Sequence, residues 1–475
     1  MQSIYNKYGA TIVLLVAVLG LGSCSRSFVN KAPQASILSA EALTSPAILQ
    51  SALNGLYAEL RNVGQYGRDF PVLGDLQADN TFVEARNSGR YISQYNYSVT
   101  AVDGVPNEMW AGSYTGILRA NEIIDAAVTG AEADQIKAQA YALRALLYFK
   151  LVNVFATPYT ADSSKWGVPL VLHYNPTATP GRASIAQVYN QIVSDLKTAM
   201  LHVPAYVSSI LLSKYAVEGL LARTYLYEGD YPHALTAAAD VIAHGPFTLV
   251  TPSNFFAYWS DPTARTDMVE TMFEIDADAV NNNGFDDLGA IYVNGYQDIY
   301  CSKQLYALYS STDVRQGLLY PGMTKGGANA YLVLKFSNAQ NTDRDNLKVI
   351  RLAEVYLIAA EASYRSNPGL SKAYLNALIA QRDPAFPGYS DTGGKLLADI
   401  VQERRKELAF EGDRLYDLNR LGLPIHRVAN DGAIPAGTGN VNLNISYPDN
   451  RRVAPIPQQE LVANPTLAKQ QNPGY

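Results

Sequence analysis

Carboxylates and arginines lie closest together between residues 401 and 422, VQERRKELAFEGDRLYDLNRLG, where Glu403, Glu407 and Glu411 recur every four residues. Two carboxylates at a defined separation are all that glycoside hydrolysis needs, so this row is the first place to look for catalysis. Its neighbours favour a structural role. Arg404, Arg405, Arg414, Arg420 and Asp417 share the segment, and acids and bases spaced this way pair along a helix and fix it against the chain's tail. The five histidines, at 173, 202, 233, 244 and 426, lack metal-ligand spacing such as i, i+4. The sequence contains no phosphate-binding glycine loop, dinucleotide fingerprint or nucleophile elbow. We therefore read the chain as a non-enzyme with no catalytic residue, metal site or cofactor. Asp286-Asp287 and Asp343 to Asp345 are the acidic clusters that would admit a calcium ion.

The chemistry that is present suits recognition. Tyrosine occurs 33 times against 13 Phe and 3 Trp, and it joins an apolar ring to a hydrogen-bonding hydroxyl. Many of these rings must line helix contacts. A sugar ring offers an apolar C–H face and an edge of hydroxyls, so aromatic rings beside Asn, Arg or Gln would hold one. Two irregular segments carry that combination. In the first, Asn80, Arg86 and Arg90 accompany Tyr91, Tyr95, Tyr97 and Trp110. In the second, Tyr292, Tyr296 and Tyr300 accompany Asn294 and Gln297. The candidate contacts are Asn80, Arg90, Tyr91, Tyr95, Trp110, Tyr292 and Tyr296. The competing reading is packing, with Tyr91, Tyr95 and Tyr97 on one face of a short strand and the Tyr292/Tyr296/Tyr300 spacing on a helical core face.

The N-terminus bears on location. A polar stretch with Lys7 precedes an apolar run, Ala10 to Leu21, that is short for a bilayer span of roughly 20 residues but fits a secretory signal. The run ends Leu21-Gly22-Ser23-Cys24, which resembles a bacterial lipobox. Cleavage before Cys24 would leave a thiol for diacylglycerol, and two or three acyl chains at about 0.8 kcal/mol per methylene anchor a domain firmly. Cys301 would then have no disulfide partner. A net charge of −6 without a basic stretch argues against nucleic acid.

Helical periodicity dominates the rest, over Pro46–Leu60, Tyr114–Val128, Ala131–Phe155 and Ser184–Leu201. Ser213 to Pro246 looks like a tetratricopeptide helix pair, with Gly229-Asp230-Tyr231 at the turn and alanines where the helices cross. A second pair is expected within Lys348–Asp383, its first helix reading VIRLAEVYLIAAEASYRS. Between them lie long irregular stretches, with one strand expected at ETMFEID, Glu270 to Asp276.

The segment 401–422 together with Arg452 to Tyr475 (RVAPIPQQELVANPTLAKQQNPGY) resembles the C-terminal signature of the SusD/RagB family of Bacteroidetes outer-membrane nutrient-binding lipoproteins. FVNKAP at Phe28–Pro33, ALRALLYFKLVNVFATPY at Ala142–Tyr159, Gly167 to Val171, Glu270 to Ile275, Asp313-Val314-Arg315 and Arg351 to Val355 follow the family in order. The resemblance implies a mostly α, SusD-like fold: tetratricopeptide-like helix pairs packed against an irregular, loop-rich half. It implies a signal over 1–23, an N-terminal region over 24–245 and a C-terminal RagB/SusD region over 246–475. It implies a lipid-anchored, surface-exposed outer-membrane protein that binds oligosaccharide, with the two irregular segments converging at the glycan site, and passes it to a SusC-like TonB-dependent transporter. The acidic residues that often follow the lipid cysteine in this group are missing here, where Ser25-Arg26-Ser27 stands instead. A peptide ligand, or a helical scaffold for protein partners alone, are the alternatives.

Overall fold

A computed structural model describes residues 43–434 and 442–475. The signal, Cys24 and FVNKAP lie outside the described residues. Helix α1 (Pro46–Arg61) starts where the Ser45 hydroxyl accepts from the Ile48 amide, and it buries Leu49, Leu53, Leu56 and Leu60. Helix α2 spans Gly104–Asp125, ten residues earlier in onset than the periodicity suggests and ending before Val128. Helix α3 (Ala131–Phe155) is buried on nearly every side from Ala138 onward. It lies between α1, α2 and α4 (Ile185–Met200), and a helix enclosed this way must be apolar all round. Two buried charges are the exceptions: the Arg144 guanidinium meets Asp195 of α4 at 2.6 Å, and the Lys150 ammonium lies 3.9 Å from Asp413. A capping box of Ser184 and Gln187 opens α4.

Helices α5 (Lys214–Glu228) and α6 (Tyr231–His244) form the expected pair, turning at Gly229 with φ +77°. Helices α7 (Leu352–Ser363) and α8 (Pro368–Ile379) form the second. Although far apart in sequence, the pairs are neighbours in space, because α6 packs along α7. Helix α9 (Gly393–Glu407) closes a small satellite core on them with Leu396 and Ile400, and α10 (Arg414–Arg420) follows. The main apolar core draws on residues from Leu49 to Leu467 and runs through both halves of the chain.

One boundary differs from the sequence reading. Val349, Ile350 and Arg351 are not the first turn of α7 but part of strand β8 (Leu347–Arg351), paired antiparallel with β4 (Thr271–Ile275), the strand expected at ETMFEID. The β-branched pair Val349-Ile350 favours extended backbone, and pairing with β4 satisfies it. Two further strands, β2 (Trp166–Pro169) and β3 (Arg182–Ser184), make a ribbon beside α4. The last sheet is antiparallel in the order β1 (Thr81–Val83), β5 (Ile299–Cys301), β7 (Asn329–Val333), β6 (Leu319–Met323).

Candidate ligand-binding surface

Strand β1 runs antiparallel to β5 with Val83 opposite Ile299, so the chain leaving β1 meets the chain entering β5. The loop over 84–91 is thereby laid against the loop over 284–298. The Glu84 amide donates to the Asp298 carbonyl at 2.9 Å. The buried Asp298 carboxylate accepts from the Ser88 amide at 2.9 Å and from the Ser88 hydroxyl, and it pairs with Lys325 at 2.9 Å. On this base the Arg90 guanidinium lies over the Tyr296 ring, 3.5 Å from its centre, and reaches Asp286 at 3.5 Å. Arg90 and Tyr296 are half-buried, Arg86 and Asn294 are exposed, and Gln297 is half-buried. The two irregular segments thus converge on a stacked cation and ring with amide and guanidinium groups around them. That surface can cover the apolar face of a sugar and meet its hydroxyls.

The other five candidates are buried, so the ligand contacts expected of them are not what the structure shows. Asn80 has no exposed surface; it donates to Asp75 at 2.6 Å and accepts from Arg405 at 2.9 Å. Tyr95 belongs to a short helix, Ile92–Asn96, rather than the expected strand. Tyr91 and Tyr97 flank it at φ +60° and +57°, a left-handed conformation that costs a bulky residue about 1–3 kcal/mol. Buried hydrogen bonds hold them there: Tyr91 donates to Asp69, and Tyr97 to the Gln77 carbonyl. The Arg427 guanidinium lies 4.6 Å from the Tyr95 ring. Trp110 packs edge-on to Phe155 at 4.9 Å. Tyr292 ends a short helix, Leu288–Tyr292, stacked on Phe336 and edge-on to Phe410, both at 5.8 Å. Tyr300 stacks on Phe82 across the β1–β5 pair. These rings belong to the core.

The carboxylate row is structural, but apart from Lys406 beside Glu403 its partners come from segments remote in sequence. Glu407 meets Arg351 at 2.9 Å, Arg382 at 3.0 Å and Arg315 at 3.1 Å. Glu403 binds Arg315 and Lys406, and Glu411 binds Arg351 and Lys335. Glu270 bridges Arg351 and Arg382, and Asp313 bridges Arg315 and Lys406, each with its carboxylate buried. Five acids and five bases are therefore matched in one buried cluster, the condition for keeping ions out of water. Burial works to raise the Glu407 carboxyl, but Arg382, Arg351 and Arg315 outweigh it and hold it well below the usual range. Arg414 and Arg420, the partners expected from sequence, go to Asp79 and to Glu361 and Asp417. Asp417 also holds Arg404 at 3.1 Å.

Three acids of the two acidic clusters are likewise committed. Asp286 pairs with Arg68 at 2.9 Å, Asp287 caps the Ala290 amide, and Asp345 accepts from Asn338. Among the described residues no group of three or more His, Cys, Asp or Glu is arranged to hold a metal ion.

Helix pairs folded into one core, with loops rather than helices supplying an aromatic surface, define a helical-scaffold binding protein. Comparison supplies the family. Residues 27–226 match the SusD-like model described as "Starch-binding associating with outer membrane", and residues 320–475 match the SusD family model. The chain is similar to SusD-like protein P2 of Formosa agariphila, at 28% identity over 99% of this chain and 100% of that one. A crystal structure of a SusD superfamily protein from Bacteroides thetaiotaomicron superposes with a TM-score of 0.83 at 28% identity, covering 90% of this chain and 100% of the other. A laminarin-binding SusD-like protein shares the fold, with a TM-score of 0.70 at 24% identity over 90% and 99% of the two chains. The chain belongs to the SusD/RagB family, whose members are carbohydrate-binding and associate with the outer membrane.

Proposed function

We propose that this chain captures oligosaccharide at the cell surface, tethered by lipid on Cys24, and delivers it to a SusC-like TonB-dependent transporter without chemically altering it. The carrying observation is the Arg90–Tyr296 stack, where two distant loops present a flat cation–ring surface outside the core. The family's carbohydrate binding supports the ligand class, and the lipobox-like Leu21 to Cys24 supports the tether. The soluble domain lacking residues 1–24 should be retarded in native gels containing its polysaccharide. Arg90→Ala or Tyr296→Ala should abolish the retardation, and no shortened glycan should be released on incubation. Tight peptide binding with no retardation by any glycan would replace the oligosaccharide reading with a peptide one.

A further inference from the structure

Of the three tryptophans, Trp110 and Trp259 are buried, whereas Trp166 is 47% exposed. Trp166 opens strand β2 and borders a cavity of about 330 Å³ shared with Thr157, Ser164, Lys165, Asn450 and Gln471. That volume lies at the lower end of small-ligand pockets, about 300–1,000 Å³.

The indole is mounted rigidly. The Arg182 guanidinium sits 6.0 Å from its ring centre. It donates to the carbonyls of Phe155, Trp166, Gly167 and Gln470 and to the Asn472 Oδ1. One buried side chain therefore locks β2, the end of α3 and the C-terminal QNPGY into a block, and orientation of this kind lowers the entropy a ligand must give up on binding. Thr157 forms part of the inner wall. Ser164, Lys165 and Asn450 are exposed at the rim and add donors and acceptors.

An exposed indole face with hydroxyl, amine and amide groups on one side matches a pyranose, apolar on its face and polar on its edge. We propose that Trp166 is the stacking platform of a second saccharide subsite, with sugar hydroxyls bonded to Lys165 and Asn450. It shares no residue with the Arg90–Tyr296 surface, and it rests on the oligosaccharide-capture reading. Two subsites on one protein would hold a long chain by avidity and favour polymers over short fragments.

The tryptophan distribution supplies the test. With Trp110 and Trp259 buried, acrylamide quenching of the mature protein's fluorescence reports mainly on Trp166. The probes are soluble starch, laminarin and polygalacturonate, each also run in native gels. A glycan that retards the protein should at least halve the quenching constant. Trp166→Ala should weaken that glycan about five- to tenfold, Trp166→Phe should restore most of the loss, and Asn450→Ala should weaken it about threefold at unchanged melting temperature. Retardation with unchanged quenching and wild-type affinity in Trp166→Ala would overturn the second subsite and leave the capture reading standing. Absence of retardation and of protection with all three glycans would overturn both.

Discussion

The Arg90 guanidinium lies over the Tyr296 ring at 3.5 Å, joining a loop from each half of the chain. An exposed cation–ring contact of this kind contributes about 0.5–1 kcal/mol, so removing it should hardly affect folding. Tyr296→Ala or Arg90→Ala should weaken glycan binding at least about tenfold by isothermal titration while stability changes by under about 1 kcal/mol. Tyr292→Ala, four residues away but fully buried against Phe336 and Phe410, should cost about 3–5 kcal/mol in denaturant unfolding. Equal destabilisation by Tyr292→Ala and Tyr296→Ala would contradict the assignment of one ring to the core and the other to the surface.

Glu407 neutralises parts of three arginines at once. Glu407→Gln leaves Arg315, Arg351 and Arg382 with less compensation in a dry interior, at a cost of about 3–5 kcal/mol. The same carboxylate sets an acid limit. Its folded pKa lies below the unfolded value near 4.3, so its contribution is complete above that value and disappears as pH falls through the folded one. Urea midpoints measured from pH 6 to pH 3 should fall in wild type, with a shallower fall in Glu407→Gln.

Glu218 responds in the opposite direction. It is buried on α5, and burial, with the like charge of Asp240 on α6, raises its pKa to about 7 against the opposing pull of Lys214 and His244. A raised folded pKa means the native state binds more protons, so this group lowers stability as pH rises from about 4.5 to 7. Glu218→Gln should therefore be more stable than wild type at pH 8, on the order of 1–2 kcal/mol, and indistinguishable from it near pH 4. Melting temperatures at the two pH values check the sign.

Gly412 closes the signature segment against the first half of the chain. It sits at φ +90°, and a side-chain carbon there would come within 2.6 Å of the Pro71 Cα. From the other side, a carbon on Gly74 would meet the Gly412 carbonyl at 1.9 Å. Gly412→Ala combines conformational strain of about 1–3 kcal/mol with overpacking of similar size, and it should lower the yield of folded monomer in size-exclusion chromatography.

The sequence alone determined what depends on local pattern. Alanine and leucine at helical spacing specify α3, Gly229-Asp230 specifies the turn between α5 and α6, and the signature from Val401 to Gly422 with the C-terminal tail specifies the family. Burial and pairing between distant segments were decided only in three dimensions. Arg351 reads as the first turn of a helix, yet it ends β8 because Glu270, Glu407 and Glu411 converge there. Tyr91, Tyr95, Tyr292 and Tyr296 are the same residue type in similar settings, and type cannot tell a core ring from a surface ring. Only the antiparallel register of β1 on β5, set by contacts between segments remote in sequence, leaves Tyr296 beside Arg90 at the surface, while the other three rings are buried in the core.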